Sequence, residues 1–548
     1  MTATEPRTGV LSYNRACNVE DFSHPDLRAV LREVFAHELV RFGRDYPTGR
    51  EDRKEWEVAM AVRTFRDHGL LDGSSRLLGI GAGNDPTVFH LTRRARRVFA
   101  TDLYLDPERR DGRTDPSMLA EPERNWPFAW NPRRLVVQHM DPLDLRYDDA
   151  SMDGVFSRTI GHAGEDETMM RALDEVYRVL RPGGVLSVAT DVRVDGNACD
   201  AAAVFRDLVG SRDWLPVSPV ELDVSEATLA TADDAGRHVD DLSRQVRAQG
   251  GYFTFKLAFE RYPQLVLRWD GACWTRVHLA LRKAEGVPGS APAPAPPAAD
   301  RMPAPPELMR RRPLGHSKVC NVEDFAHPQL RSVVRALPVG ERRRSWETAM
   351  TMRSFAHGGV LDSHSELLGI GAGHQAAAFA LTRHAGRVFA TDHYLPDDAG
   401  ASMLTEPERH WPYAWEPRRL VVQHMDPLDL RYEDNSLDGV FSLQSLERQA
   451  EFDDVRRCVS EMHRVLRPGG VLALSTTFSV SGPAPGRPGG WMFTVPLIYD
   501  LLFGESAWEI PEPIDFAVSP ATLSYGHDLV KRVGDHVCTS LHVTLRKP

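Results

Sequence analysis

The chain is 548 residues long, 42% hydrophobic and 26% charged, with a formal net charge of -11. That length exceeds one hydrophobic core and asks for several domains. The acidic balance argues against nucleic acid as a partner, and no apolar run approaches the ~18 residues of a membrane span. The N-terminal MTATEPRTGVLSYNRA has no apolar secretory core, and the six cysteines show neither metal-ligand nor disulfide-framework spacing. No metal is therefore expected, and a reducing cytoplasm is the expected home.

Compared with itself, the sequence contains one long unit twice. Leu135–Tyr147 (LVVQHMDPLDLRY) recurs residue for residue at Leu420–Tyr432, and LLGIGAG at Leu77 recurs at Leu367. NVEDF, RVFATD, VLRPGGVL and a terminal LRK strand also recur, in the same order in both halves. Two copies of so long a unit are a duplicated domain and not a solenoid, whose repeats run to about 20 to 50 residues. Between the copies, Gly286–Pro313 alternates Ala and Pro and has little to bury, which favours an extended spacer. The expected organisation is a first domain over 14–284, a linker over 285–315 and a second domain over 316–548. Such a spacer leaves the copies able to dock as an intramolecular pseudo-dimer.

In the first copy, Glu55–Asp67 sets Trp56, Met60 and Phe65 near one helical face. Short apolar runs at Arg76–Ile80, Val98–Thr101, Leu135–Gln138, Gly154–Phe156 and Val185–Ala189 predict five strands. A helix over Glu167–Leu180 is stopped by a Pro-Gly-Gly turn, and Trp274–Leu281 and Thr539–Leu545 predict terminal strands. Alternating strands and helices point to an α/β domain with a mostly parallel sheet flanked by helices.

The chemistry-bearing residues fall at strand ends. Gly79-Ile80-Gly81-Ala82-Gly83 follows the first strand and leads through Asn84-Asp85-Pro86-Thr87 towards a helix, so its backbone can turn sharply and approach a ligand. Asp102 and its copy Asp392 end the RVFATD strand, where a carboxylate can accept ribose hydroxyls or cap the next segment. Asp141 and Asp426, each before a proline, can accept from an adenine amino group or close a turn. His139 and His424, in the shared QHMD block, are expected to be structural.

In this order the glycine loop, the acidic end of the second strand, the Asp-x-x-x-Leu block, the Ser-x-x-Asp-x-Val-Phe strand and Leu-Arg-Pro-Gly-Gly resemble the class I S-adenosylmethionine-dependent methyltransferase family. The resemblance covers roughly Trp56–Thr190 and Trp346–Thr476. It implies two tandem Rossmann-like domains and S-adenosyl-L-methionine as cofactor. Gly81, Ala82 and Gly83 would pack under the methionine moiety, Asp102 and the adjoining Leu103 would bind the ribose, Asp141 and Pro142 would hold the adenine, and Ser157 would line the methyl-donor end. The second copy offers Gly371, Ala372, Gly373, Asp392, His393, Asp426, Pro427 and Ser442. Both copies carry Gly79 or Gly369 where an acidic residue usually begins the motif, so the methionine end is expected to be held differently. Arg63 and Arg353 either pair with the cofactor carboxylate or serve as salt-bridged helix arginines.

His162, after the fourth strand, is the candidate general base for a hydroxyl acceptor, and Glu447 and Arg448 occupy that region of the second copy. The expected reaction is methyl transfer to an oxygen or nitrogen of a small molecule, a sugar or specialised metabolite. The second copy, reading GAGHQAA against GAGNDPT, is the one expected to be degenerate. A non-catalytic binding or scaffolding protein and a nicotinamide-dependent oxidoreductase stay open as alternatives.

Overall fold

The computed structural model describes residues 10–109, 114–158, 166–196, 198–199, 212–232, 263–269, 272–285, 314–337, 342–395, 398–482, 490–503, 506–524, 529–533 and 536–548. Contacts divide the chain into two compact units, Met1–Ala291 and Pro292–Pro548.

The described strands of the first unit are β1 (Asn14–Ala16), β2 (Arg76–Ile80), β3 (Arg97–Asp102), β4 (Leu135–His139), β5 (Met152–Ser157), β6 (Leu180–Asp195), β7 (Ala198–Cys199), β8 (Trp214–Pro216), β9 (Val220–Glu221), β10 (Val266–Trp269) and β11 (Ala272–Lys283). They form one sheet in the order β4-β3-β2-β5-β6-β11-β1-β9, with β7 on β6 and with β8 and β10 on β11. The five strands β4-β3-β2-β5-β6 are parallel and β11 runs antiparallel to β6. Parallel strands buried on both faces explain why their sequences are nearly continuous apolar runs. Helices α1 (Arg53–Asp67), α2 (Pro86–Leu91) and α3 (Asp166–Val179) lie in the connections. α2 starts where Asp85 caps it, its carboxylate accepting from Thr87 N at 2.8 Å ahead of Pro86 at the first helical position.

In the second unit β12 (Lys318–Val319), β13 (Glu366–Ile370), β14 (Arg387–Asp392), β15 (Leu420–His424), β16 (Leu437–Leu443), β17 (Leu466–Ser479), β18 (Lys531–Val533) and β19 (His536–Arg546) repeat the plan. Their order is β12-β19-β17-β16-β13-β14-β15, with β18 on β19. The five predicted strands and the terminal strands are all present, longer than expected at most ends. Pairing of the last parallel strand starts at Leu180 and Leu466, ahead of the Pro-Gly-Gly turn, with a register break before Val185 and Val471.

The unusual glycine at the start of each motif has a packing reason. A Cβ at Gly79 would lie 2.5 Å from the ring of Phe156, a buried neighbour on β5, and one at Gly369 would overlap Phe441 on β16 in the same way. The aromatic ring fills the space that a side chain on β2 or β13 would need. Gly79→Ala is therefore expected to destabilise the first unit by about 1 to 3 kcal/mol through overpacking, seen as an earlier thermal transition of the full chain. An unmoved transition would show that the Phe156 ring yields freely.

The helix before the glycine motif carries a buried glutamate in both copies, satisfied differently in each. Glu57 on α1 is fully buried and pairs with buried Arg276 of β11 at 2.5 Å, and Arg276 also meets Asp191 of β6 at 3.1 Å. In the second copy Ser540 and Thr477 replace Arg276 and Asp191. There Glu347, on the helix α4 (Arg343–His357), accepts from Gln444 Nε2 at 2.5 Å and from the Ser540 hydroxyl. Burial, reinforced by the nearby Glu447 carboxylate, pushes Glu347 from 4.5 up to about 7. Between those two values the folded chain holds a proton that the unfolded chain has released, so this residue's contribution to stability falls as pH rises through that window. Glu347→Gln should flatten the pH dependence of unfolding between about pH 4.5 and 7. Parallel curves for the variant and the parent, measured by thermal unfolding across that range, would count against a buried neutral carboxyl.

Candidate functional site

Register places the candidate residues on one edge. Ile80 is level with Thr101 and Ser157, Asp102 with His139, and Ser157 with Val188, so the residues that follow all emerge at the carboxyl ends of the parallel strands. The strand order reverses direction at the β2/β5 pair, and such a switch point is where open α/β sheets form their ligand crevice. The glycine turn sits there, with Asp102 and Asp141 on one side and Ser157 on the other.

The turn is built from its neighbour strand. Ala82 N donates to Thr101 O at 3.0 Å, Thr101 Oγ1 donates to Gly79 O at 2.9 Å, and the hydroxyl of buried Tyr104 donates to Gly83 O at 2.8 Å. Gly81 and Gly83 take φ of 58° and 48°, a left-handed conformation that suits glycine. Asp102 faces the turn: Oδ2 accepts from Gly83 N at 2.8 Å and Oδ1 from Leu103 N at 2.7 Å. The carboxylate is thus held in a fixed orientation at the mouth of the crevice. The second copy repeats the frame, with Ala372 N on Thr391 O at 2.9 Å, Tyr394 on Gly373 O at 2.8 Å and His393 N on Asp392 Oδ1 at 2.8 Å.

Asp141 and Asp426 each cap their own turn, accepting from Leu143 N and Leu428 N at 2.9 Å, beside Pro142 and Pro427. Asp141 also accepts from Arg109 Nη2 at 2.8 Å. His139 and His424 are structural, as expected: Nδ1 accepts from Leu105 N at 3.1 Å and from Leu395 N at 3.0 Å, and burial holds both imidazoles below their ordinary pKa. Arg63 and Arg353 are held by the chain itself, Arg63 in part by the Asp67 carboxylate one helical turn on, at 3.6 Å. Arg63 donates to Leu11 O at 2.7 Å and stacks 4.1 Å over Tyr13, while Arg353 donates to Leu314 O at 2.9 Å and to Gln329 Oε1 at 3.1 Å. They pin the segment before each first strand. His162 lies outside the described residues, as does the linker Gly286–Pro313.

Sequence reasoning missed the ion network beside the turn. Arg158, one residue past Ser157, pairs with the capping carboxylate Asp85 and reaches Glu57 at 3.6 Å, and through Glu57 it joins Arg276, Asp191 and Arg53. The signal was present: Asp85 and Arg158 change together, to Gln375 and Leu443. In the second copy Ser442 and Ser445 share a hydroxyl contact, and Gln375 Nε2 donates to Leu443 O at 2.8 Å and to Gly371 O at 3.2 Å. Arg448 Nη2 donates to Gly371 O at 3.3 Å and to Asp392 Oδ2 at 3.2 Å.

The sequence matches the methyltransferase domain family at residues 78–188 and again at 368–474. A curated relative, 27-O-demethylrifamycin SV methyltransferase of Amycolatopsis mediterranei strain S699, is 28% identical over 197 residues, 35% of this chain and 66% of that one. Solved structures with a similar fold include YcgJ of Bacillus subtilis, at 12% identity over 36% of this chain and 98% of that one with a TM-score of 0.27. The [4+2]-cyclase SpnF is 19% identical over 41% and 94%, with a TM-score of 0.27. An S-adenosylmethionine-dependent methyltransferase of Methanosarcina mazei is 15% identical over 35% and 96%, with a TM-score of 0.24. With the glycine turn, its facing carboxylate and the strand order present twice, and the family matched at both places, the chain carries the methyltransferase domain in two copies.

Proposed function

We propose that the first copy binds S-adenosylmethionine at the carboxyl edge of β2 and β3 and directs methyl transfer to an oxygen or nitrogen of a small polar molecule. The carrying observation is the orientation of Asp102, fixed by Gly83 N and Leu103 N beside a left-handed glycine turn. Two left-handed glycines leave the turn's rim with no side chain larger than the Ala82 methyl, which is the cradle a bulky ligand needs, so the residues fit the donor. Asp102 would take the ribose, the rim Gly81-Ala82-Gly83 the methionine portion, and Asp141 with Pro142 the adenine.

When bound, this cofactor supplies a methyl group already activated on a sulfonium. The chain's own work is then orientation and exclusion of water, since in-line placement accounts for most of the rate gain in such a transfer. Asp85, Arg158 and Glu57 form a buried rail from the start of α2 to α1, fixing the end of β5 relative to the glycine turn. Asp191, on β6 beyond the level of Ser157 and partly exposed, brings a carboxylate to the same edge. A polar, charge-balanced floor of this kind suits a hydroxyl-bearing or amino-bearing acceptor. The relative from Amycolatopsis mediterranei, named for an O-methylation, supports oxygen as the receiving atom. His162 is the proposed base that removes the acceptor's proton.

Asp102→Ala is expected to weaken donor binding to the full chain by about 1.5 to 3 kcal/mol, the loss of charge-assisted hydrogen bonds, measured by calorimetry with circular dichroism as the check on folding. Equal affinities with an intact fold would misplace the pocket. Incubation with labelled donor and extracts of the source cells identifies the acceptor. His162→Ala should then lower kcat by about 10²- to 10⁴-fold and remove the acidic limb of its pH profile, with donor affinity unchanged. A kcat within twofold of the parent would exclude His162 as the base.

A further inference from the structure

The second copy repeats the scaffold of the donor crevice, yet the segment after its fourth parallel strand lies back across the glycine turn. Past the end of β16, Ser445 begins a short turn through Leu446–Arg448. Ser445 is buried and lies so close to Gly371 that a Cβ built on that glycine would overlap the serine's own Cβ and sit 2.7 Å from Arg448 Nη2. The positions that the sequence assigns to a donor are met by this copy's own side chains. Gly371 O accepts from Arg448 and Gln375, Asp392 Oδ2 accepts from Arg448, and the Ser442 hydroxyl meets Ser445.

The Arg448 pair alone is weak, because its guanidinium is more than half exposed and such pairs contribute little. What makes the closure firm lies beneath it. Leu446 and Glu447 are buried, the Glu447 carboxylate accepts from Thr477 N on β17, and Glu447 O accepts from Trp491 N at 3.1 Å. Trp491 Nε1 donates to Gln449 O at 2.9 Å, bracing the far end of the same turn. Opening the crevice would strip Leu446 from the core and leave Glu447 without its backbone partner, whereas a loop held only by Arg448 would swing aside. The first copy carries TIGHAGE at 159–165, with no guanidinium to place over its turn, and Asp85 and Arg158 where the second has Gln375 and Leu443.

We infer that the second copy is an internally plugged domain that takes no S-adenosylmethionine, with Ser445, Gln375 and Arg448 standing in the donor's place, so that the chain carries one donor site. This rests on the donor role proposed for the first copy. The test is equilibrium binding of labelled S-adenosylmethionine to the full chain, to Asp102→Ala and to Asp392→Ala, together with amide exchange of the ligand-free chain. One equivalent per chain, lost or weakened at least tenfold in Asp102→Ala and unchanged in Asp392→Ala, is the expected result. Two equivalents, or sensitivity to Asp392→Ala, would overturn it. If no form binds, the donor role of the first copy fails and the plug is judged by exchange alone. Slow exchange at Gln444, Arg448 and Gln449, whose amides are bonded in the closed turn, upholds it, and exchange at the rate of an open loop overturns it.

Discussion

Three hydrogen bonds fix the glycine turn of each copy to the strand beside it, and the geometry of the crevice follows from them. A turn that places left-handed glycines at a strand end has no regular partner for its backbone groups, and buried groups of that kind are costly if left unpaired. Thr101, the backbone at Thr101 and Tyr104 supply partners in the first copy, and Thr391 and Tyr394 do so in the second. Since Asp102 and Asp392 end the strand between those anchors, holding the turn also holds the carboxylate. Ligand-facing geometry is thereby set by backbone register and survives changes in the loops around it.

Divergence between the copies moves in sets. Asp85, Arg158, Arg276 and Asp191 become Gln375, Leu443, Ser540 and Thr477, while the glutamate at their centre stays. The reason is electrostatic: removing one guanidinium from a buried network strands the carboxylates it neutralised, at a cost of several kcal/mol. The second copy loses these four charges together and holds Glu347 with hydrogen bonds from Gln444 and Ser540, while burial raises its pKa. A neighbouring pair changes likewise around a serine that stays. In the first copy Asn125 donates to Ser117 Oγ at 2.9 Å and Asn84 lies at 3.5 Å from Asn125, whereas in the second His410 meets Ser402 at 2.7 Å with the His374 ring stacked 5.4 Å away.

The duplication, the alternation of strands and helices and the places of the glycine turn, Asp102 and Asp141 were legible because each depends on local pattern. An apolar run bounded by Gly, Pro or Asp reads as a strand end whatever surrounds it. Pairings between residues distant in sequence were not legible. Arg63 has Asp67 at helical spacing, a pairing local pattern can suggest, but nothing local tells that it also meets Leu11 and Tyr13. Gly79 was visible as a departure from the family pattern, but its cause is Phe156 on another strand. The ion network escaped for the same reason, although the paired change at Asp85 and Arg158 was a trace of it in the sequence.

The strand order and the glycine turn agree between the copies up to Ser157 and Ser442, and the sequences part sharply in the few residues that follow. Differences on the buried strands come in compensated sets, as at Asp191 and Thr477, because a side chain altered there must be matched by its packed neighbours. In the second copy the segment past the fourth parallel strand is free of that constraint, and it abuts the glycine turn. Its anchorage decides what the crevice is. When Glu447 and Leu446 enter the core, as in the second copy, the rim is covered by the chain itself, and the first copy carries His162 and Gly161 at those two positions. One fold thus accommodates either a ligand crevice or a filled one through the burial of two side chains, with the sheet, the glycine turn and the carboxylate left in place.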